Sequence, residues 1–221
     1  MFNKVLIVDD HDAISKSVEQ VLTTCNVENI ENAQYCDEAF LKVKRAELEG
    51  QNFNLVITDL SFKKDHRNIK LESGEDLIAA LRRDFPDLPI IVYSMKDQLQ
   101  KVRLLVNQYD VNAYVCKDRK GSQQLEEAIK VVSQKKLYLS PQVDQALSPK
   151  TDLEIYDYDI QLLNLLSKGL SQDEISQKLK VKGITPNSLS TIEKRLNKLR
   201  IQFKANNAIH LVATAKDLGL I

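Results

Sequence analysis

No run of 18 or more apolar residues occurs in this 221-residue chain, which argues against a membrane-spanning helix. Cysteine is scarce: Cys25, Cys36 and Cys116 are an odd number with no Cys-x-x-Cys spacing. That excludes a disulfide framework and suits free, buried thiols in a reducing cytoplasm. Excess charge of either sign is also missing, because Lys+Arg and Asp+Glu stand at 31 each; a protein basic throughout is excluded. The start, Met1-Phe2-Asn3-Lys4 and then Val5 to Val8, has too short an apolar stretch for a signal peptide and runs directly into acids. A cytoplasmic protein is expected. What is present is 43% apolar and 28% charged residues, enough to bury a core in one large domain or two small ones.

From Lys4 to about Ser133, short apolar runs alternate with helical periods. Lys4 to Val8, Val27 to Ala33, Asn54 to Thr58, Pro89 to Tyr93 and Ala113 to Cys116 read as strands. Between and after them, helices are marked by Ile14, Val18, Val21, Leu22 and Cys25, by residues 37 to 48, by residues 75 to 83, by Leu99, Val102, Leu105, Val106 and Tyr109, and by Leu125, Ala128, Ile129 and Val132 after Ser122. Strands alternating with helices predict a parallel sheet covered on both faces. In such a sheet, ligands bind at the carboxyl ends of the strands. Residues 135 to 152 break the period and hold two Ser-Pro pairs, the signature of a linker. Beyond them everything reads as helical, and residues 160 to 216 carry ten Lys/Arg against three Asp/Glu. The neutral whole thus conceals an acidic N-terminal part and a basic C-terminal one.

Polar groups of complementary kind stand at the predicted strand ends. The first strand ends in Asp9-Asp10, the third in Asp59, the fourth in Ser94 and the fifth in Lys117. With strand order 2-1-3-4-5 the first and third strands are neighbours, which brings Asp9, Asp10 and Asp59 together. Three carboxylates in one crevice repel unless a cation joins them, and Mg2+ suits such a site: it is hard, takes oxygen ligands and binds phosphates. Lys117 adds a second positive charge and Ser94 a hydroxyl donor, a set suited to a phosphoryl group on Asp59.

Val8-Asp9-Asp10-His11, Val56-Ile57-Thr58-Asp59-Leu60, Val92-Tyr93-Ser94 and Tyr114-Val115-Cys116-Lys117 resemble the receiver domain of two-component response regulators, over about residues 1 to 133. The resemblance implies a flavodoxin-like five-stranded parallel sheet and a phosphoryl group accepted by Asp59 from a sensor histidine kinase. It also implies Mg2+ held by Asp9, Asp10, Asp59 and the main-chain carbonyl of Ser61, with Ser94, Tyr114 and Lys117 answering the phosphoryl group. Three departures stand out. The loop 61–73 is basic and roughly seven residues longer than in the family, with Gly74 as the counterpart of the family's glycine; Lys117 is followed by Asp118 instead of Pro; and Met95 stands where a small residue is common. The long loop and Met95 are expected to slow access of water and small phosphodonors to Asp59.

In the basic part, Ile160, Leu163 and Leu166 form a stripe that stops at Lys168-Gly169. Ser171-Gln172-Asp173-Glu174 is a capping box opening a second helix with Ile175 and Leu179. Thr185-Pro186 reads as the start of a third. Its apolar face carries Leu189, Ile192, Leu196, Leu199 and Phe203, and its polar face Asn187, Ser190, Thr191, Lys194 and Lys198, flanked by Arg195. Such a face suits a DNA major groove. Gly169-Leu170-Ser171, Glu174-Ile175, Thr191-Ile192-Glu193-Lys194 and Leu218-Gly219-Leu220-Ile221 resemble the LuxR-type helix-turn-helix of NarL/FixJ regulators, over about residues 153 to 221. DNA contacts are thereby implied for Thr191, Lys194, Arg195 and Lys198, although residues 180 to 190 are roughly six longer than the family's turn.

The expected architecture is a receiver over residues 1–134, a linker over 135–152 and a helix-turn-helix domain over 153–221. The expected function is that of a transcription factor, not an enzyme: phosphorylation controls a homodimer on double-stranded DNA, with RNA polymerase as a further partner and no membrane association. A phosphorylation-independent DNA-binding regulator is the alternative, and a Mg2+-dependent aspartyl-phosphate phosphatase a more distant one.

Overall fold

The computed structural model describes residues 2–63, 69–147 and 155–221. The chain divides into two compact units, Met1–Ala146 and Leu147–Ile221.

In the first unit, β1 (Lys4–Val8), β2 (Asn29–Ala33), β3 (Leu55–Thr58), β4 (Ile90–Ser94), β5 (Ala113–Cys116) and β6 (Tyr138–Leu139) form one sheet in the order β2-β1-β3-β4-β5-β6. Every pairing is parallel. The helices α1 (Asp12–Thr24), α2 (Cys36–Leu48), α3 (Gly74–Asp84), α4 (Leu99–Tyr109) and α5 (Gly121–Ser133) supply the crossovers. Alternate strand residues feed opposite layers, as the pleat requires. Leu6, Val8, Val56, Ile90, Val92 and Tyr114 pack with α2, α3 and α4; Val5, Ile7, Leu55, Ile57, Ile91 and Val115 pack with α1 and α5. Burial on both faces explains why these strands read as continuous apolar runs.

The sixth strand corrects the reading of 135–152 as linker throughout. Tyr138 and Leu139 pair with Ala113 and Tyr114, and the buried Ser140 hydroxyl accepts from Cys116 N–H at 3.1 Å while donating to Gln124 Oε1 at 2.5 Å. Val143 and Ala146, the latter in a short 3-10 turn (Asp144–Leu147), are buried in the core beneath α4. Positions 148–152 of the expected linker lie outside the described residues.

In the second unit, α6 (Asp157–Ser167), α7 (Gln172–Val181), α8 (Leu189–Gln202) and α9 (Ala208–Asp217) enclose a core of Leu162, Leu163, Ile175, Leu179, Ile192, Leu196, Leu199 and Leu211. Gly169, at φ +80°, turns the chain after α6. The Ser171–Glu174 capping box closes reciprocally: Glu174 Oε2 accepts from Ser171 N–H at 2.7 Å and Ser171 Oγ from Glu174 N–H. Helix α8 does not start at Pro186. Ser188 is its N-cap, accepting from Thr191 N–H, while the Asn187 carbonyl accepts from the Ser176 hydroxyl at 2.6 Å and so ties the preceding peptide to α7. Leu189, expected on the apolar face, therefore sits in the first turn and is exposed.

Candidate functional site

The order β2-β1-β3 makes β1 and β3 neighbours whose crossovers leave in opposite directions, so a crevice opens between their carboxyl ends. Asp9 N–H donates to the Ala33 carbonyl and Asp59 N–H to the Val8 carbonyl, which fixes both aspartates one residue beyond the strands. Lys117, just past β5, reaches back across β4: its Nζ lies 2.6 Å from Asp9 Oδ2 and 2.7 Å from Asp59 Oδ2, with all three side chains at most 7% exposed. One ammonium thus bridges two buried carboxylates. The other Asp59 oxygen, Oδ1, accepts from Leu60 N–H at 2.6 Å.

Asp10 completes the acidic group. Its Oδ2 accepts from Lys63 N–H at 3.0 Å, whereas Oδ1 is buried without a hydrogen-bond partner among the described residues. His11 Nδ1 stands 2.6 Å from that oxygen but out of hydrogen-bond alignment with it. Asp9, Asp10 and His11 bring potential ligand atoms within 4.8 Å of one another. An orphaned carboxylate oxygen beside further anionic oxygens is an environment that a hard divalent cation would relieve, so the donor set fits Mg2+. Ser61, the other expected contributor, is exposed two residues beyond Asp59.

The floor of the site is close-packed against α3. A Cβ at Gly74 would lie 1.9 Å from the Asp59 carbonyl oxygen and 2.8 Å from Leu60 Cα, so only glycine permits this approach. Gly74 N–H in turn donates to the Leu60 carbonyl. Ser94, at the end of β4, is fully buried, and its Oγ accepts from Lys96 N–H at 3.4 Å. Tyr114 is turned inward, with its hydroxyl donating to the Lys96 carbonyl at 2.6 Å; burial pushes its phenol well above the ordinary range. Lys96 is thus joined to both the β4 serine and the β5 tyrosine. Its ammonium and that of Lys101 converge on Glu75 Oε1 at the head of α3, at 3.5 and 2.5 Å. Met95 is 75% exposed. The basic loop expected over 61–73 lies partly outside the described residues.

Sequence reasoning identifies Asp9, Asp10, Asp59, Ser94, Tyr114 and Lys117; of these, Asp9, Asp59 and Lys117 are bonded together and Asp10 stands beside Asp9, while Ser94 and Tyr114 meet at the Lys96 main chain. It passes over His11, Glu75 and Lys96. His11 is visible as the third member of an Asp-Asp-His run. The pairing of Glu75 with Lys96 and Lys101 joins positions with no sequence signal between them.

In the second unit, Ser190 is exposed on the first turn of α8 and Thr191 half-buried, its Oγ1 2.7 Å from the Ser188 hydroxyl. Lys194 and Lys198 project into solvent on successive turns. Asn187 precedes the helix, and its amide donates to the Ile184 carbonyl at 3.0 Å. Arg195 departs most from expectation. Its guanidinium makes a two-pronged ion pair with Asp159 of α6, Nη2 to Oδ2 at 2.5 Å, and lies 4.9 Å from the Tyr156 ring centre. Asp159 is completely buried and also accepts from Tyr156 N–H at 2.8 Å. A fork held this way ties α6 to α8.

A family model for the response regulator receiver domain matches residues 5–130. Among curated proteins, the osmosensing histidine protein kinase SLN1 of Saccharomyces cerevisiae is 34% identical over 61 residues, which span 28% of this chain and 5% of that protein. Among solved structures, RcsB from Salmonella enterica serovar Typhimurium, bound to promoter rprA in the presence of the phosphomimetic BeF3-, has 22% identity and a TM-score of 0.62 over 96% of each chain. The isolated REC domain of the same protein has 24% identity and a TM-score of 0.51, covering 65% of this chain and 97% of that one. The first of these shares the fold along nearly the whole of this chain, and the isolated REC domain shares it over about two thirds.

Proposed function

Because the chain belongs to the response regulator receiver family, we propose that it is a two-component response regulator: Asp59 accepts a phosphoryl group from a sensor histidine kinase, and the helical unit binds double-stranded DNA as a phosphorylation-dependent dimer. The observation that carries this reading is the Lys117 ammonium bridging Asp9 and Asp59 at 2.6 and 2.7 Å. A cation already held at the acceptor carboxylate is what a transferred phosphoryl group needs to meet.

In the transfer, an Asp59 carboxylate oxygen forms a bond to phosphorus as the bond from phosphorus to the kinase's histidine nitrogen breaks. The electron pair stays on that imidazole, which takes up a proton, and an acyl phosphate is left on Asp59. Asp9, Asp10, Asp59 and the Ser61 carbonyl would hold Mg2+, which when bound neutralises charge on the phosphoryl oxygens. Lys117 shifts its pairing from the Asp59 carboxylate to a phosphoryl oxygen. Ser94 turns its hydroxyl to another, giving up the Lys96 amide, and that exchange reaches the segment after β4 that Tyr114 holds. A shift of this segment between two arrangements is the means by which the new charge alters the surface around α4 and, with it, dimerisation.

DNA binding draws on the overall likeness to RcsB, whose solved complexes include DNA, and on the exposed Lys194 and Lys198 beside Ser190 and Thr191 on α8. Arg195 belongs to the frame of the unit on this reading. The protein is a cytoplasmic regulator, and its chemistry is confined to gaining and losing one phosphoryl group. A phosphotransfer assay with Mg2+ comparing wild type and Asp59→Ala, each followed by DNA retention, tests the proposal. Labelling and the phosphorylation-induced gain in DNA retention should both vanish in the variant. Equal labelling of the two proteins would remove Asp59 from its role.

A further inference from the structure

We propose that His11 is a nitrogen ligand for divalent d-block cations, giving the acidic crevice a second mode of cation binding that Mg2+ does not use. The inference rests on the receiver reading and deepens it by assigning a selectivity to the cation site.

Ligand atoms about 2.1 Å from a common ion and at right angles to each other are roughly 3.0 Å apart. His11 Nδ1 lies 2.6 Å from Asp10 Oδ1 and 3.5 Å from Asp9 Oδ1, which brackets that separation. Asp10 Oδ1 is buried and accepts no hydrogen bond from a described residue, so the close approach of the imidazole is not a hydrogen bond holding the oxygen. Three donor atoms converge, and the oxygen at their centre accepts no aligned hydrogen bond from a described residue.

The surrounding bonds leave this trio available. The Asp9 and Asp59 Oδ2 atoms are both turned to Lys117, and Asp10 Oδ2 is taken by Lys63 N–H. Of the Asp9 and Asp10 oxygens, the two near His11 are the remaining ones. Asp9 Oδ1 also accepts from the His11 main-chain N–H at 2.9 Å. That bond anchors the residue while its ring, about half exposed, retains freedom to adjust to an ion.

The chemistry of the donors decides which ion gains. Mg2+ is hard, holds its waters and prefers oxygen, so an imidazole beside its site adds little. Mn2+, Co2+, Ni2+ and Zn2+ accept imidazole nitrogen readily, with affinity rising along that series toward Ni2+. An oxygen-only site would serve Mg2+; oxygens plus His11 would bind a d-block ion more tightly than the carboxylates alone can.

The test is calorimetric titration with Mg2+ and, separately, Ni2+ on the untagged full-length protein carrying His66→Ala and His210→Ala, which leaves His11 as the one histidine of the three in the sequence. The buried cysteines Cys25, Cys36 and Cys116 are not competing ligands. His11→Gln in that background should weaken Ni2+ about tenfold or more while Mg2+ stays within twofold. Ni2+ binding indifferent to His11→Gln, with Mg2+ retained, would overturn this inference alone. An equal loss of both ions would also overturn it, because His11 would then be positioning Asp10. Failure of the parent to bind either ion would overturn it together with the cation site of the receiver reading.

Discussion

A lysine ammonium on a side chain 6% exposed has lost most of its hydration, and it is tolerated at position 117 because the Asp9 and Asp59 carboxylates flank it. The reverse is equally true: without the ammonium the two buried carboxylates would have no cationic partner among the described residues. Lys117→Met, which preserves the apolar stem and removes the charge, should cost about 3 kcal/mol in urea denaturation with chelator present. Mg2+ should restore more stability to the variant than to wild type, because it then takes over the charge that the ammonium supplied. Equal stability in chelator would mean that the ammonium is not what makes the crevice habitable. At this scale the sequence is most informative where a residue's position depends only on where a strand ends. Asp9, Asp59, Ser94 and Lys117 each follow an apolar run, and sheet order does the rest. Arg195 fails that condition. Its place on the flank of α8 can be read from the helical period, but its partner Asp159 lies 36 residues away on another helix and carries no local signature.

Elements that owe their existence to their own periodicity are legible in the sequence, and those created by tertiary contact are not. Strand β6 has two residues inside a stretch with Ser-Pro breaks, too short for any period, and forms because the edge of β5 needs a partner. Helix α8 begins at Leu189 because the Ser188 hydroxyl is better placed to cap it than Pro186 is to open it. The clasp between α3 and α4 is likewise invisible in sequence, and it makes a pH-dependent prediction. Burial alone would raise the Glu75 carboxyl, but its bond to Lys101 and the charges of Lys101 and Lys96 outweigh burial and bring it below the ordinary value. A carboxyl lowered in the folded state contributes stability above its unfolded pKa and loses it as pH falls through the folded one. Glu75→Gln should therefore cost roughly 1 to 2 kcal/mol at pH 7, and its deficit should shrink as pH falls from about 5 toward 3. A deficit independent of pH would assign the loss to packing. The junction of α6 and α8 gives a sharper case: Arg195→Ala strands the fully buried Asp159 carboxylate and should destabilise the helical unit by about 3 kcal/mol in thermal melts, whereas Lys194→Ala, one position away and exposed, should leave the melt unchanged within about 0.5 kcal/mol.

For the whole molecule the deciding quantity is how a zero net charge is divided. Residues 160–216 hold a surplus of seven positive charges, so the remainder of the chain carries an equal negative surplus, and the phosphoryl group proposed for Asp59 adds to the negative side. Nonspecific attraction to DNA is accordingly a property of the helical unit alone, set by how many phosphates its lysines neutralise. The logarithm of affinity should fall linearly with the logarithm of salt concentration. Lys194→Ala and Lys198→Ala should each reduce that slope by about 0.9 for every DNA phosphate left without its lysine. Phosphorylation acts on the other unit. If it works through dimerisation, the phosphorylated wild type engages twice as many lysines per binding event as a monomer, and its slope should approach double that of Asp59→Ala under the same phosphodonor. Equal slopes with unequal affinities would show that phosphorylation strengthens binding without recruiting a second helical unit, and the dimer would have to be abandoned while Asp59 kept its place.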